Sequence, residues 1–221
     1  MRTLIIIPAF NEAKNIPNLM MKIGELKHDY LIINDCSSDN SYELFDSLNV
    51  NHLDLPINVG LASVTQMGFK YAADHEYDCA IVIDGDGQHP PKYIDSILAK
   101  IEEGYDYAIG SRFLNEKKPW SMRMLGSRLI CAVLKLKTGK TITDPTSGMR
   151  ALGKKALIAF ADNMNFIAEP DALAYILKNK MSFCEVQVNM LERNQGESYF
   201  ANPFKSIKFM FNVIVSILFV Q

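Results

Sequence analysis

Ala80-Ile81-Val82-Ile83-Asp84-Gly85-Asp86-Gly87-Gln88 decides how the chain is read: an unbroken apolar run passes directly into an acidic, glycine-rich loop. A strand that is apolar at every position has both faces covered, as in a parallel sheet flanked by helices. The same arrangement occurs twice upstream. Residues 4–7 lead into Pro8-Ala9-Phe10-Asn11-Glu12, and residues 30–33 lead into Asn34-Asp35-Cys36-Ser37-Ser38-Asp39. Two further strands are expected at 52–55 and 107–109. Helical patterns fill the gaps at 16–26, 42–48, 61–75 and 93–103. In the third of these, Leu61, Val64, Met67, Gly68, Tyr71 and Ala72 recur at helical spacing. Alternating strands and helices imply an α/β fold, with ligands bound beyond the carboxyl ends of the strands. Polar residues gather at that end of three strands.

The pattern changes after Gly110. Residues 120–137 read as an amphipathic helix, with Met124, Leu125, Leu129, Ile130, Val133, Leu134 and Leu136 apolar and Arg123, Arg128, Lys135 and Lys137 basic. A polar loop at 141–150 follows, then short helices near 154–160 and 170–179 and a strand near 185–191. The segment from Pro203 suits a helix or a strand.

A chain of 221 residues, 48% hydrophobic and 22% charged, has an ordinary globular composition. This excludes disordered, collagen-like and disulfide-scaffold classes. A net charge of −2 argues against bulk attraction to nucleic acid. No apolar stretch approaches the roughly 20 residues of a membrane span. The average conceals an asymmetry: residues 112–155 carry 11 basic and 2 acidic residues, and the remainder carries 12 and 23. The short apolar run at the N-terminus reads as a buried strand rather than a signal peptide. Cys36, Cys79, Cys131 and Cys184 lie far apart, without zinc spacing, so reduced thiols and a cytoplasmic setting are expected.

Asp84 and Asp86, two apart, can face one cation in extended chain. Gly85 and Gly87 allow the backbone close to a ligand. Hard oxygen donors, the Gln88 amide included, suit Mg²⁺ or Mn²⁺. The bland alternative is an acidic turn capping a strand. A calcium loop does not fit, because His89 stands where glycine is needed and Asp95 where glutamate is. An aspartyl phosphatase, with Asp84 as nucleophile and Asp86 two residues on, is a closer rival. It lacks the later adjacent acidic pair, and the motif follows three strand–helix units. No Gly-x-Gly-x-x-Gly follows a strand, against a dinucleotide-dependent oxidoreductase.

With these motifs in order, the chain resembles the family 2 glycosyltransferases, particularly the dolichyl-phosphate mannose synthase-like group, over residues 4–198. The matching pieces are Ile7-Pro8-Ala9-Phe10-Asn11-Glu12, Asn34-Asp35-Cys36-Ser37-Ser38-Asp39, Asn58-Val59-Gly60 with Gly68, and Asp84 to Pro91. Gly110-Ser111-Arg112-Phe113, Asp144 to Arg150 and Arg193 to Ser198 complete the set.

The resemblance implies one glycosyltransferase A-type, Rossmann-like domain over 1–200. Its nucleotide-sugar half would span about 1–110 and its acceptor-side half about 111–200, with an apolar C-terminal helix in 201–221. It implies an inverting, metal-dependent hexosyltransferase that takes a UDP- or GDP-linked sugar. Pro8, Phe10, Glu12 and Asp35 would line the nucleoside pocket. Asp84, with Gly85, would lie near ribose and metal, and Asp86 and Gln88 would complete a Mg²⁺ or Mn²⁺ site. Arg112 and Arg193 would meet phosphates, for which a guanidinium fork is suited. The acceptor would be a polyprenyl phosphate or a glycan. A phosphate oxygen needs no general base, whereas a hydroxyl does. Asp144 is the favoured acceptor-side catalytic carboxylate, with Glu169 and Asp171 as others. Two departures, Asn34 in place of an acid and Tyr199 in place of a lysine whose role Lys205 could take, keep a non-catalytic nucleotide-sugar-binding relative as an alternative. The basic segment could lie against the inner face of an anionic membrane. Residues 209–220 read as an interfacial helix, a homodimer seam or a last core element.

Overall fold

β1 (Thr3–Ala9) is buried at every position, and its neighbours explain why. It pairs in parallel with β2 (Asp29–Asn34) on one side and with β4 (Cys79–Val82) on the other. β3 (His52–Asp54) extends the sheet beyond β2, also in parallel. The computed structural model describes residues 1–162, 169–191 and 203–220. In it the sheet has seven strands in the order β3-β2-β1-β4-β6-β5-β7, the last three being β5 (Tyr107–Ser111), β6 (Arg150–Gly153) and β7 (Phe183–Gln187).

Alternation along the strands sends side chains to two helical layers. Ile5, Ile7, Ile81 and Ile83 pack with α1 (Ile16–Ile23), α2 (Ser41–Ser47) and α4 (Ile94–Glu102), the last entered through a 3₁₀ turn at Pro91–Tyr93. Leu4, Ile6, Ala80 and Val82 face α3 (Leu61–Asp74), α5 (Met122–Thr138), α6 (Lys154–Asp162) and α7 (Glu169–Lys178). The C-terminal α8 (Pro203–Val215) runs into a π-helical turn at Ser216–Val220 on that same side. Each of the buried isoleucines contributes about 1.5–3 kcal/mol by leaving water. α3 lies so close to β1 that a Cβ at Gly68 would fall 2.5 Å from Ile6 Cγ2.

The parallel strands and the first four helices fall where the apolar runs place them, within a few residues. Three elements differ. No strand is expected between the loop at 141–150 and the helix near 154–160, yet β6 is a four-residue strand wedged antiparallel between β4 and β5. β7 begins earlier than the expected 185–191, at Phe183. The C-terminal segment resolves into a helix. Among the described residues no helix is long and apolar enough to cross a membrane.

Candidate active site at the carboxyl ends of β1, β2 and β4

The strand order reverses direction between β1 and β4, so the loops that follow them diverge and leave a crevice. Pro8 marks the opening. The register that pairs Ile6 with Val82 sets Pro8 against Asp84. Proline has no N–H to give, and the ladder continues there only through the Gly85 N–H donating to the Pro8 carbonyl (3.2 Å). The chain is thereby released to form the Asp84–Gln88 loop.

That loop is internally braced. The Asp84 N–H donates to His89 Nδ1 (2.9 Å), and the same ring nitrogen lies 3.7 Å from Asp84 Oδ2. His89 is buried, and an acceptor at Nδ1 puts the proton of the neutral ring on Nε2. Asp86 Oδ1 accepts the Gln88 N–H (2.9 Å). Gly148 closes the crevice from the other side: a Cβ there would lie 2.9 Å from His89 Cε1 and 3.1 Å from Asp84 Oδ2. Gln88 Nε2 donates to the Leu191 carbonyl (3.3 Å), and the Leu191 N–H returns a bond to the Gln88 carbonyl (2.9 Å).

The β1 and β2 loops are tied to each other. Asn11, in the left-handed conformation that asparagine tolerates, accepts the N–H groups of Ser38 (2.7 Å) and Asp39 (3.2 Å) on its side-chain oxygen. Asp35 is buried, and its two oxygens accept the N–H groups of Val59 (2.7 Å) and Gly60 (2.9 Å). Asn34 donates to Asp54 Oδ1 (2.6 Å) and accepts from Ser37. An acid at position 34 would set two carboxylates in contact, which accounts physically for the amide. Glu12 is buried and accepts from Asn15 Nδ2 (2.6 Å). Phe10 remains 47% exposed, a ring free to stack on a planar ligand.

Beyond Gly110, carboxylates hold arginines. Arg112 Nε and Nη2 donate to the two oxygens of Asp144 at 2.7 and 2.8 Å, and the Arg112 N–H adds a third contact (3.1 Å). Asp144 has no exposed surface. That geometry ties both carboxylate oxygens of Asp144 to one guanidinium. Glu169 lies 2.8 Å from Arg150 Nη1. Burial works against the Arg150 charge, but Glu169 and Tyr107 outweigh it and the pKa stands above its ordinary value. Burial pushes the Tyr107 hydroxyl beside this pair up to about 12. Asp171, fully buried, accepts from Ser216 Oγ (3.0 Å) and so ties α7 to the C-terminal turn.

Sequence reasoning did not single out Glu185, His89, Gly148 or Arg150 for a role. Glu185 on β7 accepts the N–H groups of Thr143 (2.9 and 3.1 Å) and Asp144 (3.1 Å) and the Thr143 hydroxyl (2.8 Å). Two residues on, Gln187 bonds the Arg112 carbonyl (3.2 Å) and the Asn115 N–H (2.8 Å). Polar residues two apart in a strand were the available signal. Arg193 and Tyr199 lie outside the described residues, and Lys205 falls on α8.

Asp84, Asp86 and Gln88 suit a divalent cation by their donor chemistry: two carboxylates and an amide on one loop leave positions for substrate phosphates. Among the described residues no cluster of three or more His, Cys, Asp or Glu could hold a metal ion by itself.

Comparisons with known proteins point to one family. The model of glycosyl transferase family 2 matches residues 4–160. The polyprenol monophosphomannose synthase of Mycolicibacterium smegmatis is 28% identical over 216 residues, covering 89% of this chain and 80% of the relative. The UDP-N-acetylglucosamine–dolichyl-phosphate N-acetylglucosaminyltransferase of Methanococcus voltae is 28% identical over 236 residues, covering 96% and 94%. Glucosyl-3-phosphoglycerate synthase from Mycobacterium tuberculosis, solved with Mn²⁺, UDP and glucosyl-3-phosphoglycerate, superposes with a TM-score of 0.71 at 16% identity. That alignment covers 99% of this chain and 79% of that one.

Proposed function

This chain belongs to glycosyl transferase family 2 and is a glycosyltransferase, and we propose that it transfers a hexose from a UDP- or GDP-linked donor to a polyprenyl phosphate. Family membership sets aside the aspartyl phosphatase reading of Asp84 and Asp86. The named activities of the relatives support a lipid-phosphate acceptor. The observation that carries the choice is internal: each carboxylate expected as a base is engaged. Asp144 is held by Arg112, Glu169 by Arg150, and Asp171 is buried against Ser216. A phosphate acceptor brings its own anionic oxygen and needs no proton removed.

In this reading Phe10 stacks on the base and the Asp35 loop shapes the nucleoside pocket. Asp84, Asp86 and Gln88 hold Mg²⁺ or Mn²⁺, which when bound supplies Lewis-acid neutralisation of the leaving diphosphate. Asp144 is a positioning residue that aims Arg112 at the acceptor or donor phosphate, and Arg193 adds charge there. The acceptor oxygen attacks the anomeric carbon from the face opposite the diphosphate. The C1–O bond breaks as the new one forms, and configuration inverts. The basic 112–155 segment rests against the membrane that carries the acceptor.

Thermal melting with UDP-, GDP- and CDP-sugars, with and without Mn²⁺, tests this. Donor at about 100 times its Kd adds about 2.7 kcal/mol of stability. A metal-dependent shift with a UDP- or GDP-sugar is expected. No shift with any donor overturns the reading.

A further inference from the structure

The far ends of α5 and α7 lie outside the chemistry described above, and they carry a second cationic site. Lys137 and Lys140, at the end of α5, and Lys178 and Lys180, at the end of α7, line one concavity of about 510 Å³ with Leu177 and Met181. No acidic residue lines it, and among the described residues none of these lysines forms an ion pair. Lysines at helix carboxyl ends complement the helix dipole, but that does not bring four of them to one hollow.

The rim is apolar. Leu136, beside Lys137, is 84% exposed. Lys137 Nζ donates to the Leu218 carbonyl (2.9 Å), which holds the C-terminal turn and its exposed Phe219 and Val220 at the same edge. Met122, Leu125, Leu129 and Leu136 recur at helical spacing on the exposed side of α5, opposite the buried Met124, Ile130 and Leu134. α5 is thus apolar on two faces, and only one meets the core. A free phosphate would use the lysines and ignore this stripe. A lipid surface uses both.

We propose that the lysine hollow binds headgroup phosphates of anionic phospholipids, while the outer face of α5 and Phe219 enter the interfacial layer. This rests on the lipid-linked acceptor proposed above, since a bilayer-borne acceptor gives such a surface its use. A lysine near an anionic membrane strengthens binding about fivefold, and the attraction weakens with salt.

The test is flotation of the full chain with phosphatidylcholine vesicles, with and without phosphatidylglycerol. Wild type floats with the anionic vesicles and loses binding as salt rises. Lys178→Glu with Lys180→Glu weakens flotation at least about 25-fold, and Leu136→Ser weakens it too. Lys27→Glu with Lys70→Glu, an equal charge change at exposed lysines outside both the hollow and the 112–155 segment, leaves it within about twofold. Equal flotation by wild type and the 178/180 variant overturns the proposal. So does equal binding to neutral vesicles, or calorimetric binding of inorganic phosphate without vesicle binding. The donor-induced thermal shift separates the two readings. If it persists while flotation fails, only the lipid site falls. If it is absent while flotation holds, the proposed UDP- or GDP-linked donor falls and the lipid site stands.

Discussion

The loops proposed above for the donor and for the acceptor are built from different interactions. Asn11, Asn34 and Asp35 organise the donor side through backbone N–H groups and neutral or singly charged hydrogen bonds. On the acceptor side, Asp144 grips Arg112 and Glu169 grips Arg150, each with one partner fully or largely buried. A nucleoside is mostly neutral and can be met by backbone shape. A phosphate calls for fixed positive charge, and a partly buried arginine keeps its place only with a carboxylate behind it. The donor side should therefore tolerate substitution better than the acceptor side.

The largest effect falls on the acceptor side. Arg112→Ala leaves Asp144 buried and unpaired and should cost about 3–5 kcal/mol in urea unfolding, besides lowering transfer. A loss under about 1 kcal/mol would erase the contrast. On the loop between the two sides, Asp86→Ala should lower turnover by about 10²–10³, the scale of losing one electrostatic stabiliser. Its melting temperature without donor should stay near wild type. Asp35→Asn, on the donor side, should cost only about 1–2 kcal/mol, because one of its two accepted N–H bonds becomes a mismatch. The contrast sharpens through Glu185→Ala measured with and without Arg112→Ala. If Glu185 acts through Asp144 and Arg112, its effect on KM largely disappears in the second background. The smallest signal is chemical. Burial pushes the Cys79 and Cys184 thiols up to about 11, so they should resist alkylation at neutral pH and react faster as pH approaches 11. Exposed Cys36 on the donor loop should label first.

The same division governs what the sequence discloses. Donor-side strands are local: residues 4–7, 30–33 and 80–83 are apolar on both faces, and the polar loops follow directly, so elements and loop residues were legible together. β6 was not, because Arg150 to Gly153 is four residues long and has strand character only through antiparallel pairing with β4 and β5. The role of Asp144 was equally hidden. Nothing local to Asp144-Pro145-Thr146 says that a residue 32 positions earlier supplies its guanidinium, or that Glu185 braces the turn from an edge strand. The resemblance named candidate residues, and the packing shows which of them touch one another. The charged segment at 112–155 was visible as composition. That Arg112 and Arg150 turn to carboxylates while Lys137 and Lys140 gather with Lys178 and Lys180 required the fold.

The proposed nucleophile is an anionic lipid oxygen that needs no base. The direct measurement is transfer of labelled sugar from UDP- and GDP-linked donors into an organic-extractable product, with polyprenyl phosphate compared against the matching polyprenol. The account predicts metal-dependent labelling of the phosphate alone, with a rate flat in pH while that phosphate stays ionised. Labelling of the polyprenol, or none of either acceptor with any donor that binds, would contradict it.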